Sequence, residues 1–266
     1  MIADFHNDVL TAEFDQMKKL ARELTCSVYA LFRGGRSFAD IRGIAQRFLA
    51  ERPANVCLGL EDIGYLNEKN SAEIFAWNPI YASLTWNGSN ELAGGCFCDS
   101  GLTPRGKRAV YSLSEHRVAV DFAHLNKRSF SEVLDLDPFA VVDSHTCLSS
   151  VCKHPRNLED WQVREIVSRG GLIGIAFVGR FLSEGKASAS DIFRHIDYGV
   201  QKFGIDAFCL GSDFWGTADL PDDIGGYADL AKLRAIFYAA GYSESDTDKI
   251  FAVNLKNFLS KKEQSQ

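Results

Sequence analysis

Three of the six histidines, His6, His124 and His145, stand at the ends of short apolar runs, in company with the carboxylates Asp8, Glu61 and Asp213. His6 and Asp8 are two residues apart, so on an extended strand both side chains project from one face. Glu61 follows an apolar alternation, where an ionised carboxylate costs stability unless it is paired or bound to a metal. Imidazole with carboxylate suits a borderline divalent cation, zinc above all. His6, Asp8, Glu61, His124 and His145 together are enough for two ions, with Glu61 able to bridge them. Two ions about 3.5–4 Å apart clamp a shared water and lower its pKa toward neutrality, which is hydrolytic chemistry. One histidine at a strand end is more often structural than a ligand; the set is what points to metal. His116 before a strand, His195 in a helical pattern and His154 in a loop read as structural. Cys96 and Cys98 form a lone Cys-x-Cys, a weak zinc signal that reads better as loop residues.

Elements able to bring these residues together recur along the chain. Apolar β-type runs occupy 2–7, 27–32, 55–60, 81–86, 118–124, 139–145, 172–177 and 208–213, with helical patterns between most of them. After Thr11, the residues Phe14, Met17, Leu20, Ala21 and Leu24 share one helical face. Phe38, Ile41, Ile44, Ala45, Phe48 and Leu49 do the same after the second run. Thr103-Pro104 reads as an N-cap with proline at the first helical position. Asn157 and Ser190 are expected to open later helices, and Ser243 with Asp246 a final one. Residues 62–80 leave room only for a short helix. Eight strands alternating with helices predict a (β/α)8 TIM barrel, whose active sites lie where the strand C-termini converge. A doubly wound open sheet is the rival; it would typically carry a glycine-rich fingerprint after its first strand, where His6-Asn7-Asp8 stands instead.

The bulk properties fit. The 266 residues can form one barrel domain spanning 1–266, since such barrels run to about 250 residues. Hydrophobic residues at 46% and charged residues at 24% are near the globular average and exclude a disordered chain. A net charge of −6 argues against nucleic acid as a partner. No 18-residue apolar run is available to span a membrane, and the opening MIADFHNDVL lacks signal-peptide character. Seven cysteines without framework spacing suit a reducing compartment, so a cytoplasmic location is expected.

The motifs DFHND at 4–8, LGLED at 58–62, LTPRGKRAV at 102–110, DFAH at 121–124, DSHT at 143–146, KHPRN at 153–157, GSDFWG at 211–216 and NLKNFL at 254–259 run in order through nearly the whole chain. Taken together, they resemble the membrane dipeptidase (renal dipeptidase) type of zinc metallopeptidase, among the amidohydrolase-like barrels. The resemblance implies a two-zinc dipeptidase. His6 and Asp8 would hold one ion, His124 and His145 the other, and Glu61 would bridge them. It further implies that Arg156 grips the substrate's C-terminal carboxylate and that Asp213 is the catalytic proton carrier. The substrate would be a small dipeptide; a homodimer is the assembly considered.

Two departures bear on that reading. Trp86 stands where renal members carry a substrate-contacting histidine, and Trp215 replaces an aspartate in GSDFWG. The indole has one N–H donor and no acid–base chemistry. Trp86 is therefore expected to wall the mouth of the barrel and to favour small substrates, or those with an apolar N-terminal residue. The alternatives are another amidohydrolase, acting on a lactam or cyclic amide, or a catalytically weakened metal- or peptide-binding relative. Many amidohydrolases bridge their metals with a modified lysine on the fourth strand; none lies within 81–86. The pairing of Asp213 with Arg156 favours an enzyme over a binding protein.

Overall fold

A computed structural model describes residues 1–264, with side chains through Lys261. All eight apolar runs form strands: β1 (Ala3–Asn7), β2 (Cys26–Phe32), β3 (Val56–Glu61), β4 (Tyr81–Ser83), β5 (Ala119–Asp121), β6 (Val141–Thr146), β7 (Ile173–Ile175) and β8 (Phe208–Leu210). They pair in chain order, every neighbour parallel. The ring is completed between β1 and the segment after β8. Asn7 bridges Phe214, Asp213 N–H donates to His6 C=O at 3.0 Å, and Asp8 N–H donates to Phe214 C=O at 2.9 Å. The result is the (β/α)8 barrel; consecutive order with joined ends rules out the doubly wound sheet.

Phe5, Val28, Tyr81, Ala119, Val142 and Cys209 fill the interior, while a larger apolar layer lies between the strands and the surrounding helices. Parallel strands covered on both faces need this near-continuous hydrophobicity. Gly59 is required by the filling: a Cβ there would lie 2.4 Å from the Tyr81 ring.

Several boundaries differ from the sequence expectation. β4 ends at Ser83 and β5 at Asp121, so Trp86 and His124 sit on the loops beyond their strands. The first helical pattern is broken into Val9–Ala12, a 3-10 turn Phe14–Gln16 and a helix Met17–Glu23, because Glu13 takes an extended φ of −144°. Asn157 does not cap; its amide donates to Cys152 C=O and Phe181 C=O, and Glu159 caps the helix Asp160–Ser168. Ser188, not Ser190, opens Ala189–Phe203, in a capping box with Asp191. Thr103 and Ser243 cap as expected.

His195 on that helix is structural, as expected, and fully buried. Its Nδ1 accepts from Leu148 N–H at 3.0 Å and its Nε2 donates to Leu182 C=O at 3.1 Å, which fixes a neutral ring. Burial pushes its pKa down to about 4. The unfolded chain, with an ordinary imidazole near 6.5, takes up the proton first as pH falls. The stability His195 contributes is therefore complete above about pH 6.5 and is lost progressively toward pH 4, by roughly 2–3 kcal/mol. Gln can reproduce both hydrogen bonds without titrating. In urea unfolding at pH 7 and pH 4.5, His195→Gln should lose about 2 kcal/mol less than the wild type; equal losses would refute this account.

Candidate metal centre and active site

The C-terminal ends of the strands gather His6, Asp8, Glu61, His124, His145 and Asp213 into one cluster, buried except for the partly exposed Asp213. Glu61 is central to it. Its Oε2 lies 3.5 Å from His6 Nε2, and its Oε1 lies 2.8 Å from His124 Nε2 and 3.9 Å from His145 Nε2. His6 Nε2 is also 3.4 Å from Asp8 Oδ2 and 3.9 Å from Asp213 Oδ1. The Nε2 atoms of His124 and His145 are 2.9 Å apart. Three overlapping groups thus have donor atoms within 4.8 Å of one another: His6, Asp8 and Glu61; Glu61, His124 and His145; and His6, His145 and Asp213.

The backbone makes unusual turns to achieve this. His124 and Asp213 adopt left-handed φ values of 71° and 61°, as do their neighbours in the site Asp62 (58°) and Trp215 (66°). Non-glycine residues in that region carry strain that the surrounding structure must override. The neighbouring glycine has its own role. A Cβ at Gly216 would lie 2.2 Å from Asp213 Oδ1 and 2.4 Å from Asp8 Oδ2, filling the space the two carboxylates face.

The electrostatics suit a cation. Burial, helped by Arg156 and His6, holds His124 and His145 well below the ordinary imidazole range, so both are neutral lone-pair donors at pH 7. Burial opposes charge on His6, yet Tyr81, Asp8 and Glu61 outweigh it and raise its pKa well above the usual value. Burial and the negative Asp8 raise both Glu61 and Asp213. Such a concentration of acids without a counter-charge is costly in a low-dielectric interior. His6 Nε2 and Asp8 Oδ1 are buried without a hydrogen-bond partner. Orphaned donors, an imidazole–carboxylate set and a glycine-lined gap all fit a metal ion.

A cleft of about 190 Å³ opens onto Asp8, Glu61, His124 and Asp213. Arg156 lies on its wall, buried, with one guanidinium N–H donating to His145 C=O at 2.8 Å and Nε–H unpartnered. Trp86 is half-exposed at the rim, its indole 5.5 Å from the Phe32 ring and 6.0 Å from the His124 ring. Trp215 turns to Glu13, donating from Nε1 at 3.4 Å, and packs against Phe214 and Tyr227. His154 lies closer to the site than its loop position suggests. It does brace the backbone, accepting from Arg156 N–H at 3.2 Å, but its ring lies 4.6 Å from Phe181 and lines the cleft. A structural role and a place on the cleft wall thus coincide at His154. Cys96 and Cys98 are free thiols in a loop; Cys96 donates to Asn87 Oδ1.

Residue type and spacing gave no hint of Asn87, Tyr81, Ser144 or Asp121. Asn87 Oδ1 is 2.8 Å from His124 Nδ1, Tyr81 Oη 2.9 Å from His6 Nδ1, and Ser144 Oγ 2.9 Å from His145 Nδ1. Only adjacency to Trp86 and His145 could have drawn attention to Asn87 and Ser144.

Fold and site together define a (β/α)8 barrel with an imidazole–carboxylate cluster at its mouth. The membrane dipeptidase family (peptidase family M19) matches residues 55–266, and the chain belongs to that family. An uncharacterised protein of the pqqA 5' region of Klebsiella pneumoniae is 34% identical over 155 residues, 56% of this chain and 57% of its own length. The dipeptidase tcpJ of Claviceps purpurea is 26% identical over 164 residues, 60% of this chain and 38% of its own. The chain thus spans roughly half the length of these curated relatives. Among solved structures, a metallopeptidase of Rhodobacter sphaeroides liganded with a phosphinate mimic of the dipeptide L-Ala-D-Ala superposes with a TM-score of 0.82. It is 20% identical, with 97% of this chain and 98% of that one covered.

Proposed function

We propose that the protein is a dipeptidase that hydrolyses free dipeptides at a two-zinc centre, with His6 and Asp8 on one ion, His124 and His145 on the other, and Glu61 between them. The observation that carries this is the division of Glu61, one oxygen facing His6 and the other facing His124 and His145, beside a cleft that also holds Arg156 and Asp213. When bound, such a pair of ions polarises the scissile carbonyl and supplies hydroxide at neutral pH. The chain's own residues do the rest. Arg156 offers its planar fork to the substrate's C-terminal carboxylate, held in place by the His145 carbonyl and by Phe181, whose ring centroid lies 5.5 Å from the guanidinium carbon. Asp213, with a raised pKa, takes the proton of the attacking water and returns it to the leaving amine. Trp86 and Phe32 make an apolar wall suited to a small or apolar N-terminal residue. The seven cysteines, all free, support a reducing, cytoplasmic setting.

The test is a dipeptide panel assayed against the same peptides as C-terminal amides. Free dipeptides should be cleaved and amides poorly. Arg156→Ala should raise KM for the free dipeptides roughly 10- to 100-fold with a smaller change in kcat, the loss of a charge-assisted bond made before the transition state. Equal cleavage of acids and amides by the wild type would remove the proposed role of Arg156.

A further inference from the structure

Ser144, on β6, lies between the two halves of the cluster. Its hydroxyl oxygen has three partners: Asp121 Oδ2 at 2.6 Å, His145 Nδ1 at 2.9 Å and His6 Nδ1 at 3.2 Å. A hydroxyl has one proton and two lone pairs. The shortest contact runs to a carboxylate that is itself fixed, its other oxygen accepting from Ser144 N–H and Ala123 N–H at 2.9 and 3.1 Å. That carboxylate takes the hydroxyl proton. Ser144 is then left with acceptor capacity alone, so both imidazoles must present N–H at Nδ1.

Tyr81 likewise requires N–H at His6 Nδ1, because its hydroxyl donates to Phe5 C=O at 3.1 Å and can only accept from the ring. Asn87 Oδ1 does so for His124. With rings held neutral by burial, the Nε2 atoms of His124 and His145 are thereby bare lone pairs. They face each other at 2.9 Å with no proton between them, a repulsive arrangement that a cation relieves.

We propose that Ser144, polarised by Asp121, is a positioning residue that accepts the Nδ1–H of one histidine in each half of the metal centre and fixes the tautomer of His145, coupling the two ion sites through a single hydroxyl. The proposal rests on the metal-centre reading and extends it to residues outside the ligand set. It has a built-in asymmetry. His6 keeps Tyr81 as a second Nδ1 partner, whereas Ser144 is the sole side chain bonded to His145 Nδ1 among the described residues. Removing the hydroxyl should therefore loosen the His124–His145 half and spare the His6–Asp8 half.

Two measurements on the full chain test this. Long-range nitrogen–proton NMR of the ion-free protein reads the ring tautomers directly. The wild type should show His6, His124 and His145 protonated at Nδ1; Ser144→Ala should put His145 into a tautomer mixture while His6 stays, and Ser144→Thr should restore the wild-type pattern. Zn²⁺ titration against a chromophoric chelator reads the two affinities. Ser144→Ala should weaken one site by roughly 10- to 100-fold, the usual effect of losing a partner behind a metal-bound histidine, and leave the other within a few-fold. A wild-type His145 protonated at Nε2 would overturn the proposal, since it would mean that the Asp121–Ser144 polarity is reversed. So would unchanged tautomers and affinities in Ser144→Ala. Wild-type protein that shows the Nδ1 tautomers but binds no zinc would instead sink the metal reading and leave the hydroxyl relay standing.

Discussion

Glu61→Ala should empty both halves of the metal centre at once. The two Glu61 oxygens point in opposite directions, 3.5 Å from His6 Nε2 and 2.8 Å from His124 Nε2, so one substitution takes a donor from each group. What remains on one side is His6 and Asp8, and on the other His124 and His145, each a pair where tetrahedral zinc asks for three or four ligands. A ligand confined to one half behaves differently: Asp8→Ala should release one ion and retain the other. Elemental analysis after dialysis against zinc-buffered solution separates the cases. Retention of one full equivalent by Glu61→Ala would show that Glu61 serves a single ion.

Asp213→Asn should keep the fold and the ions while losing about 10²–10⁴ in kcat, the usual worth of a positioned proton carrier. Asn matches Asp in size and can still accept a hydrogen bond through its oxygen, but it cannot carry the proton. The position of the Asp213 carboxylate is what motivates the expectation. The group lies at the floor of the cleft, 3.9 Å from His6 Nε2, and burial with the negative Asp8 beside it raises its proton affinity. Because the role belongs to the transition state, kcat and kcat/KM should fall together and KM should change little. Near-normal turnover with full metal content would assign the proton transfer elsewhere.

How much of this could be read from the chain alone follows from the range of each interaction. Strand periodicity is local, so His6-x-Asp8 and the eight apolar runs were legible, and with them the barrel. Strand ends are set by hydrogen bonds to neighbours far away in sequence. The left-handed turn at His124 therefore went unseen, and with it the early end of β5. Glu13 likewise interrupts an apolar helical pattern that by itself reads as continuous. The ligand residue types advertised themselves by chemistry. Asn87, Tyr81, Ser144 and Asp121 did not, because a serine or an asparagine acquires its role only from what it touches, and Tyr81 meets His6 across 75 residues. The place of His154 on the cleft wall is hidden for the same reason: a loop position says nothing about which surface the loop covers.

The junction of β1 with the segment after β8 has a kinetic consequence. Ser212 N–H and Oγ–H both donate to Asp4, at 2.8 and 2.7 Å, across 208 residues of sequence, and the adjacent Asp213 N–H bonds His6 C=O. Contacts of such high contact order slow folding, because the loop-closure entropy of nearly the whole chain must be overcome before they form. His6 comes from the first strand and Asp8 from just beyond it, His124 and His145 from the middle and Asp213 from beyond the last. An ion arriving at a half-folded chain finds scattered donors rather than a coordination shell. A cation held by these residues would therefore act as a latch on a closed ring rather than as a template for it.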